Sequence, residues 1–108
     1  MATVEVAAKS EIPVGTMRAF SIEGSEVLVA NVEGTFYAVS NTCTHMGGHL
    51  AQGELDGFVV RCPRHGSRFD VRTGANVGPA KIGPLKMSPA GLKMFAVTIE
   101  GEAVKVSL

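Results

Sequence analysis

The chain has 108 residues and a mass of 11.3 kDa, enough for one domain with a single hydrophobic core and too little for two. Hydrophobic residues make up 45% of the chain and charged residues 19%, which excludes an intrinsically disordered protein. Ten basic residues balance ten acidic ones, so the formal net charge is zero. This balance argues against a nucleic acid or an anionic membrane as the partner, because both favour a basic surface.

The sequence predicts a cytoplasmic protein with no membrane span. Its longest unbroken apolar runs, such as residues 27–30, have four residues, whereas a transmembrane helix needs about 20. The first residues lack the basic start and apolar stretch of a signal peptide. In a cytoplasmic protein, Cys43 and Cys62 are not expected to form a structural disulfide. Redox chemistry, catalysis or metal binding are then the leading roles, because each cysteine has a histidine close by.

Apolar residues recur with a period of two, which predicts β-strands through most of the chain. No window of a dozen residues has a helical stripe. Gly-containing turns separate the predicted strands, and their spacing predicts an all-β fold, a small antiparallel sandwich or barrel. We expect the second of these strands to be buried on both faces. The predicted strands lie at residues 3–8, 27–32, 35–39, 58–61, 95–99 and 104–108.

Two long stretches interrupt the strand pattern, at residues 41–54 and 62–84. Both are rich in Gly, Pro and polar residues, and they are predicted to be loops. Connections in a compact domain are usually about 4–6 residues long, and longer ones are usually functional. The chemically reactive residues of the chain lie at the starts of these two stretches.

Those residues are a C-x-H pair, Cys43 with His45, and a C-x-x-H pair, Cys62 with His65. Sixteen residues separate His45 from Cys62, enough for a short hairpin that brings the two loops face to face. The four side chains would then form one site of two thiolates and two imidazoles. Such a ligand set suits zinc or iron–sulfur chemistry. The C-x-H pair is too closely spaced for a usual zinc-finger knuckle.

The order C-x-H-x16-C-x-x-H resembles the signature of Rieske [2Fe–2S] proteins. The resemblance continues through residues 62–74, CPRHGSRFDVRTG, which are similar to the second cluster loop and the strand that leaves it. It covers nearly the whole chain. It implies a single Rieske domain over residues 1–108, in which a cluster-binding subdomain of approximately residues 41–75 is inserted into an antiparallel base domain.

By this resemblance, each chain binds one [2Fe–2S] cluster. Cys43 and Cys62 would hold one iron, and His45 and His65 would hold the other. Ser67 matches a position that donates a hydrogen bond to the cluster. The residues that flank the histidines are expected to form the surface of this chain on which a partner docks: Met46, Gly47, Pro63, Arg64 and Gly66. Of these, Met46, Gly47, Arg64 and Gly66 are also expected to line the cluster.

The sequence also departs from the respiratory Rieske proteins. Gly48 and Arg64 stand where those proteins have a second cysteine pair, and Phe69 stands at the position of a tyrosine donor. The resemblance is therefore to the soluble ferredoxins of bacterial oxygenase systems. It implies a one-electron carrier, not itself an enzyme, that acts as a monomer between a flavin-dependent reductase and a terminal oxygenase.

Two other functions are compatible with the same residues. One is a small Rieske-type subunit of a larger oxidoreductase such as an assimilatory nitrite reductase. Many such subunits have lost their ligands, whereas all four are present here. The other is a zinc-stabilised binding module without a redox role.

Overall fold

A computed structural model describes residues 3–42, 49–63, 66–78, 80–82, 85–87 and 91–108. Within these ranges the chain is almost entirely antiparallel β-structure, arranged in three sheets. The all-β fold expected from the sequence is confirmed. No helix in the described ranges has both the length and the apolar character needed to cross a bilayer.

The first four strands and the last two build the base of the molecule. They are β1 (Thr3–Ala8), β2 (Met17–Ile22), β3 (Ser25–Val32), β4 (Thr35–Ser40), β11 (Met94–Glu100) and β12 (Ala103–Ser107). They form one six-stranded sheet in the order β1-β12-β11-β4-β3-β2, which curls into a nearly closed barrel. A 3-10 helix, Lys9–Glu11, follows β1.

The residues between β4 and β11 form two smaller sheets. A four-stranded sheet consists of β5 (Glu54–Asp56), β6 (Val59–Arg61), β7 (Arg68–Asp70) and β8 (Asn76–Gly78), paired in that order. A hairpin of β9 (Ala80–Ile82) and β10 (Leu85–Met87) forms the third sheet. A 3-10 helix, Leu50–Gln52, leads into β5.

The β3–β4 hairpin separates two apolar cores. Its turn has positive φ at both Glu33 (53°) and Gly34 (92°), a geometry whose twist matches that of the flanking strands. Because side chains alternate along a strand, Val27 and Val29 enter a barrel core, whereas Leu28 enters an interface core between the barrel and the four-stranded sheet. The barrel core consists of Ala7, Ile12, Ile22, Val27, Val29, Phe36, Ala38, Phe95, Val104 and Val106. The interface core consists of Leu28, Ala30, Val39, Leu50, Val60, Cys62, Phe69, Val71 and Leu92.

All six strands predicted from the sequence are present, and residues 27–31 of β3 are buried on both faces as expected. The expectation of a structureless loop over residues 62–84 is wrong, because β7, β8 and β9 lie within it. Each of these strands has three residues, too few to establish an alternating pattern. The sequence also missed β2, whose MRAFSI segment mixes polar and apolar residues on both faces.

Candidate metal centre

The second of the two Cys–His loops is a closed six-residue connection between β6 and β7. The N–H of Cys62 donates to the carbonyl oxygen of Ser67 at 2.7 Å, and the N–H of Gly66 donates to the carbonyl oxygen of Cys62 at 3.2 Å. Gly66 has a φ of +77°, a conformation that glycine adopts without strain. These contacts fix both ends of the loop against each other.

Cys62 occupies the base of this loop. Its side chain is a free thiol, 3% exposed, and it belongs to the interface core together with Leu50 and Phe69. Phe69, which stands where the respiratory Rieske proteins have a tyrosine, is fully buried in the same core. The core therefore holds the start of the loop rigidly against the barrel.

Ser67 closes the loop and is fully buried. Its Oγ has no hydrogen-bond partner among the residues that the structure describes. A buried hydroxyl without a partner costs about 1–3 kcal/mol, so such groups are rare in folded proteins and call for an explanation. An acceptor that belongs to a bound group would provide one.

Asn41, which is 2% exposed, holds together the two ends of the first Cys–His loop, which we call the neck of the loop. The N–H of Leu50 donates to the Asn41 carbonyl oxygen at 2.8 Å, and the N–H of Ala51 donates to Asn41 Oδ1 at 2.9 Å. Thr42 and His49 form a bridge on the loop side of these bonds. Thr42 and His49, the described residues on either side of positions 43–48, are therefore held next to each other.

Two contacts bring the necks of the loops together. Leu50, at the exit of the first loop, packs in the same apolar core as Cys62. Gly53 lies so close to the backbone of Arg61 that a Cβ there would overlap the Arg61 carbonyl oxygen. In the β5–β6 register Glu54 faces Arg61, so the end of the first loop lies beside the start of the second. The face-to-face arrangement of the two loops, which the sixteen-residue spacing favours, remains a prediction.

Most of the predicted site residues lie outside the described ranges: Cys43, His45, Met46, Gly47, Gly48, Arg64 and His65. Within the described ranges no three His, Cys, Asp or Glu residues come together as a metal site. Of the predicted site, the structure places Cys62, Pro63, Gly66 and Ser67. The four ligands, the residues around them and the boundaries of the subdomain remain predictions.

Beyond the second loop, Asp70 organises the turn that leaves β7. Its carboxylate accepts hydrogen bonds from Arg72 Nε at 3.1 Å and Arg72 Nη2 at 2.9 Å, and from the Arg72 backbone N–H at 2.8 Å. The side-chain hydrogen bond from Arg72 lowers the pKa of Asp70 below its ordinary 3.8, although burial opposes it. The Arg72 guanidinium stacks on the ring of Phe58, 3.5 Å from its centre. This turn braces the end of β7 away from the loop.

The residues that the structure places at the loop necks fit a bound iron–sulfur cluster. Cys62 supplies a buried thiol, and Ser67 supplies a buried hydroxyl with no described partner. Gly66, between them in the loop, has no side chain that could cover its backbone. Backbone and side-chain donors of this kind stabilise the sulfur atoms of such centres. The sequence adds a thiol and an imidazole, Cys43 and His45, on the neighbouring loop, and a second imidazole, His65, on the same loop as Cys62.

Comparison with known proteins decides the family. Residues 2–89 match the Rieske [2Fe–2S] domain family. The ferredoxin component of the naphthalene 1,2-dioxygenase system of Pseudomonas aeruginosa is 36% identical over 105 residues, which span 97% of this chain and 94% of that protein. The chain belongs to the Rieske [2Fe–2S] family.

Solved structures of ferredoxins are also similar to this Rieske protein. The ferredoxin of carbazole 1,9a-dioxygenase from Nocardioides aromaticivorans IC177 superposes with a TM-score of 0.85 and 30% identity, covering 99% of this chain and 98% of that one. A second match, with a TM-score of 0.84 and 34% identity, covers 97% of this chain and 92% of a chain in a complex of reduced oxygenase and oxidized ferredoxin in carbazole 1,9a-dioxygenase.

These comparisons confirm the predicted Rieske-type ferredoxin with a [2Fe–2S] cluster. The protein is an electron carrier and not a catalyst in its own right. The similarity is to ferredoxin components over almost their whole length, which favours this function over a nitrite reductase subunit. A zinc-stabilised module would not explain that similarity.

The sequence analysis missed the residues that hold the loop necks. Asn41 gave the clearest available signal, because an Asn directly after a strand commonly bonds backbone groups of the following loop. Gly53 and Leu50 gave no such signal. Their roles depend on contacts with Arg61 and with the interface core, which only the folded chain brings close.

Proposed function

We propose that this ferredoxin carries single electrons in the cytoplasm from a flavin-dependent reductase to a terminal oxygenase that dihydroxylates an aromatic compound. Cys43 and Cys62 would bind one iron, and His45 and His65 the other. When bound, the cluster supplies one reversible electron at a potential between roughly −150 and +300 mV. The chain supplies the two loops, the donors around them and the surface on which partners dock.

The observation that carries this proposal is the buried hydroxyl of Ser67, which has no partner among the described residues and lies in the same loop as the free thiol of Cys62. A hydroxyl in this position can donate a hydrogen bond to the bound cluster, because no other acceptor is described for it. Such a bond favours the reduced state of the cluster, which is the more negative of its two oxidation states. This is how the chain would raise the potential of its cluster. The absence of the tyrosine hydroxyl, replaced by Phe69, leaves the cluster with one of the two side-chain donors of the respiratory proteins.

The partners are proposed from the relatives. The naphthalene 1,2-dioxygenase and carbazole 1,9a-dioxygenase systems each include a ferredoxin similar to this chain, and one such ferredoxin is solved with its oxygenase. Both names indicate oxygenation of fused aromatic rings. An aromatic hydrocarbon or heterocycle is therefore the substrate class that we propose for the oxygenase supplied by this protein.

The test is reconstitution of electron flow. The loaded ferredoxin is mixed with the reductase and the oxygenase of the naphthalene 1,2-dioxygenase system, and hydroxylated product is measured with and without the ferredoxin. We expect product formation that requires the loaded chain and is lost in Cys62→Ser. A chain that is reduced chemically, yet accepts no electron from the reductase and delivers none to the oxygenase, would contradict the proposal. Isolation of the native protein in a stable complex with a large nitrite reductase subunit would favour the alternative.

A further inference from the structure

The balanced charge of this ferredoxin hides a strong separation along the chain. Seven of the ten basic residues lie between residues 57 and 93, where Asp70 is the sole acidic residue. The rest of the chain contains nine acidic residues and three basic ones. One segment therefore carries six net positive charges and the remainder six net negative charges. The basic residues of the segment are Arg61, Arg64, Arg68, Arg72, Lys81, Lys86 and Lys93.

The fold places like charges directly opposite each other in this basic segment. Arg61 faces Arg68 in the β6–β7 register, immediately before and after the loop that contains Cys62. Like charges that face each other across a sheet destabilise it. The stability of the sheet therefore does not explain this pair of cations.

Arg61 and Arg68 stand on either side of the second loop in the sequence and face each other in the register. Both residues are exposed, and in the described ranges neither forms an ion pair with a carboxylate. The Arg61 guanidinium lies over Gly66, with Nε and Nη2 each 3.5 Å from the position a Cβ would take. The Arg61 guanidinium takes this position although Glu54, its register partner in the neighbouring strand β5, carries a carboxylate.

Arg68 is held in a similar way at the far side of the loop. Its guanidinium covers Gly78 at the end of β8, where a Cβ would lie 2.5 Å from Arg68 Nε and 3.0 Å from Nη2. A side chain at Gly78 would displace the guanidinium. The two exposed cations are thus held against backbone, Arg61 at Gly66 of the second loop and Arg68 at Gly78 of the neighbouring strand β8.

We propose that the basic segment around Arg61 and Arg68 is the docking surface for an acidic face of the terminal oxygenase. This inference rests on the proposed function. Electron delivery requires the acceptor to approach the cluster loops, and the flanking surface on the second loop is cationic. An acidic face relieves the repulsion between Arg61 and Arg68 and pairs guanidinium groups that lack a described carboxylate. The oxygenase is chosen because a ferredoxin 34% identical to this one is solved in complex with its oxygenase.

A local cluster of cations can attract a partner even when the net charge of the protein is zero. The exposed Arg61 and Arg68 form such a cluster beside the second loop, and their positive potential attracts and steers an acidic surface as it approaches. Such steering is screened over about 10 Å at 0.1 M salt, so it is strongest at low ionic strength.

The first experiment measures the charge chemistry alone. Poly-L-glutamate is titrated into the cluster-loaded ferredoxin at low salt, and its dissociation constant is measured by calorimetry. The double variant Arg61→Gln with Arg68→Gln should bind roughly three- to tenfold more weakly, the size expected for two exposed charges. The control, Lys9→Gln with Arg18→Gln, makes the same charge change in the other segment and should bind as the wild type does. Circular dichroism and iron content establish that each variant is folded and loaded.

The second experiment measures the partner. Binding of the oxygenase component of carbazole 1,9a-dioxygenase should weaken in the Arg61/Arg68 variant, remain unchanged in the control, and lose this difference at high salt. Equal binding of polyglutamate by the wild type and the Arg61/Arg68 variant would overturn the proposal. A wild-type chain that binds polyglutamate but not the oxygenase would overturn the choice of partner. The proposed function fails separately, through loss of reversible reduction in a chain whose polyglutamate binding is intact.

Discussion

The buried hydroxyl of Ser67 gives the most specific prediction. Ser67→Ala removes one oxygen atom from a fully buried position where Oγ has no described partner. If Oγ donates to the bound cluster, the hydrogen bond is stronger in the reduced state, which carries one more negative charge. A hydrogen bond to a charged group is worth about 1.5–3 kcal/mol, and one between neutral groups about 0.5–1.5 kcal/mol. Between the middles of these two ranges, the difference between the two oxidation states is about 1.3 kcal/mol.

For a one-electron couple this difference corresponds to about 60 mV. Ser67→Ala should therefore lower the reduction potential by about 60 mV, measured by film voltammetry or by a redox titration followed in the visible spectrum. The control is Ser21→Ala, which removes an exposed hydroxyl from β2 and should leave the potential unchanged. Iron content and the visible spectrum establish that both variants are loaded. A fully loaded Ser67→Ala protein with the wild-type potential would refute the role assigned to this hydroxyl.

Three further changes test the scaffold that holds the loops. Leu50→Ala should lower the free energy of unfolding by about 2–5 kcal/mol in urea, because it leaves a cavity in the interface core; a loss below about 1 kcal/mol would contradict its packing role. Asn41→Ala leaves the N–H of Ala51 unpaired and should cost about 1–3 kcal/mol and speed iron release; an unchanged release rate would count against the neck. Asp70→Asn should lower the free energy of unfolding at pH 7, because it removes the ion pair with Arg72. The lowered pKa of Asp70 means that this ion pair stabilises the folded state above pH 3.8, the ordinary pKa of the group, and that the stabilisation is lost as the pH falls through the lowered pKa. A difference between Asp70→Asn and wild type that does not shrink in acid, measured by urea unfolding at several pH values, would contradict the ion pair.

Most of the strands that pattern alone could predict have enough residues to alternate, and the exception is β6, which was predicted from its apolar residues after a Gly-containing turn. The segment from Val27 to Asn31 has a buried side chain at every position, and its alternation between the two cores is a direct consequence of strand geometry. The three-residue strands β7 and β8 could not be predicted in this way. Their pairing depends on neighbours such as Val60 opposite Phe69, which come from a different part of the chain.

The chemistry of the site was more predictable than its support. Thiol and imidazole ligands must appear as Cys and His, so a C-x-H and C-x-x-H pattern is visible in the letters of the sequence. The groups that position Cys62 are backbone N–H and carbonyl groups, together with apolar side chains such as Leu50 and Phe69. Such groups occur in every protein, and only their arrangement in space distinguishes them. The Arg61–Arg68 pair was likewise visible as charges but not as neighbours.

The most direct test of the account is a visible absorption and EPR spectrum of the purified ferredoxin, with iron and zinc assayed on the same sample. We expect a red-brown protein with about two irons per chain and a reduced EPR signal whose average g value is low, as mixed His and Cys ligation requires. A colourless protein that holds one zinc, even after anaerobic reconstitution with iron and sulfide, would contradict it. Cys62 and its three predicted partners would then form a structural zinc site.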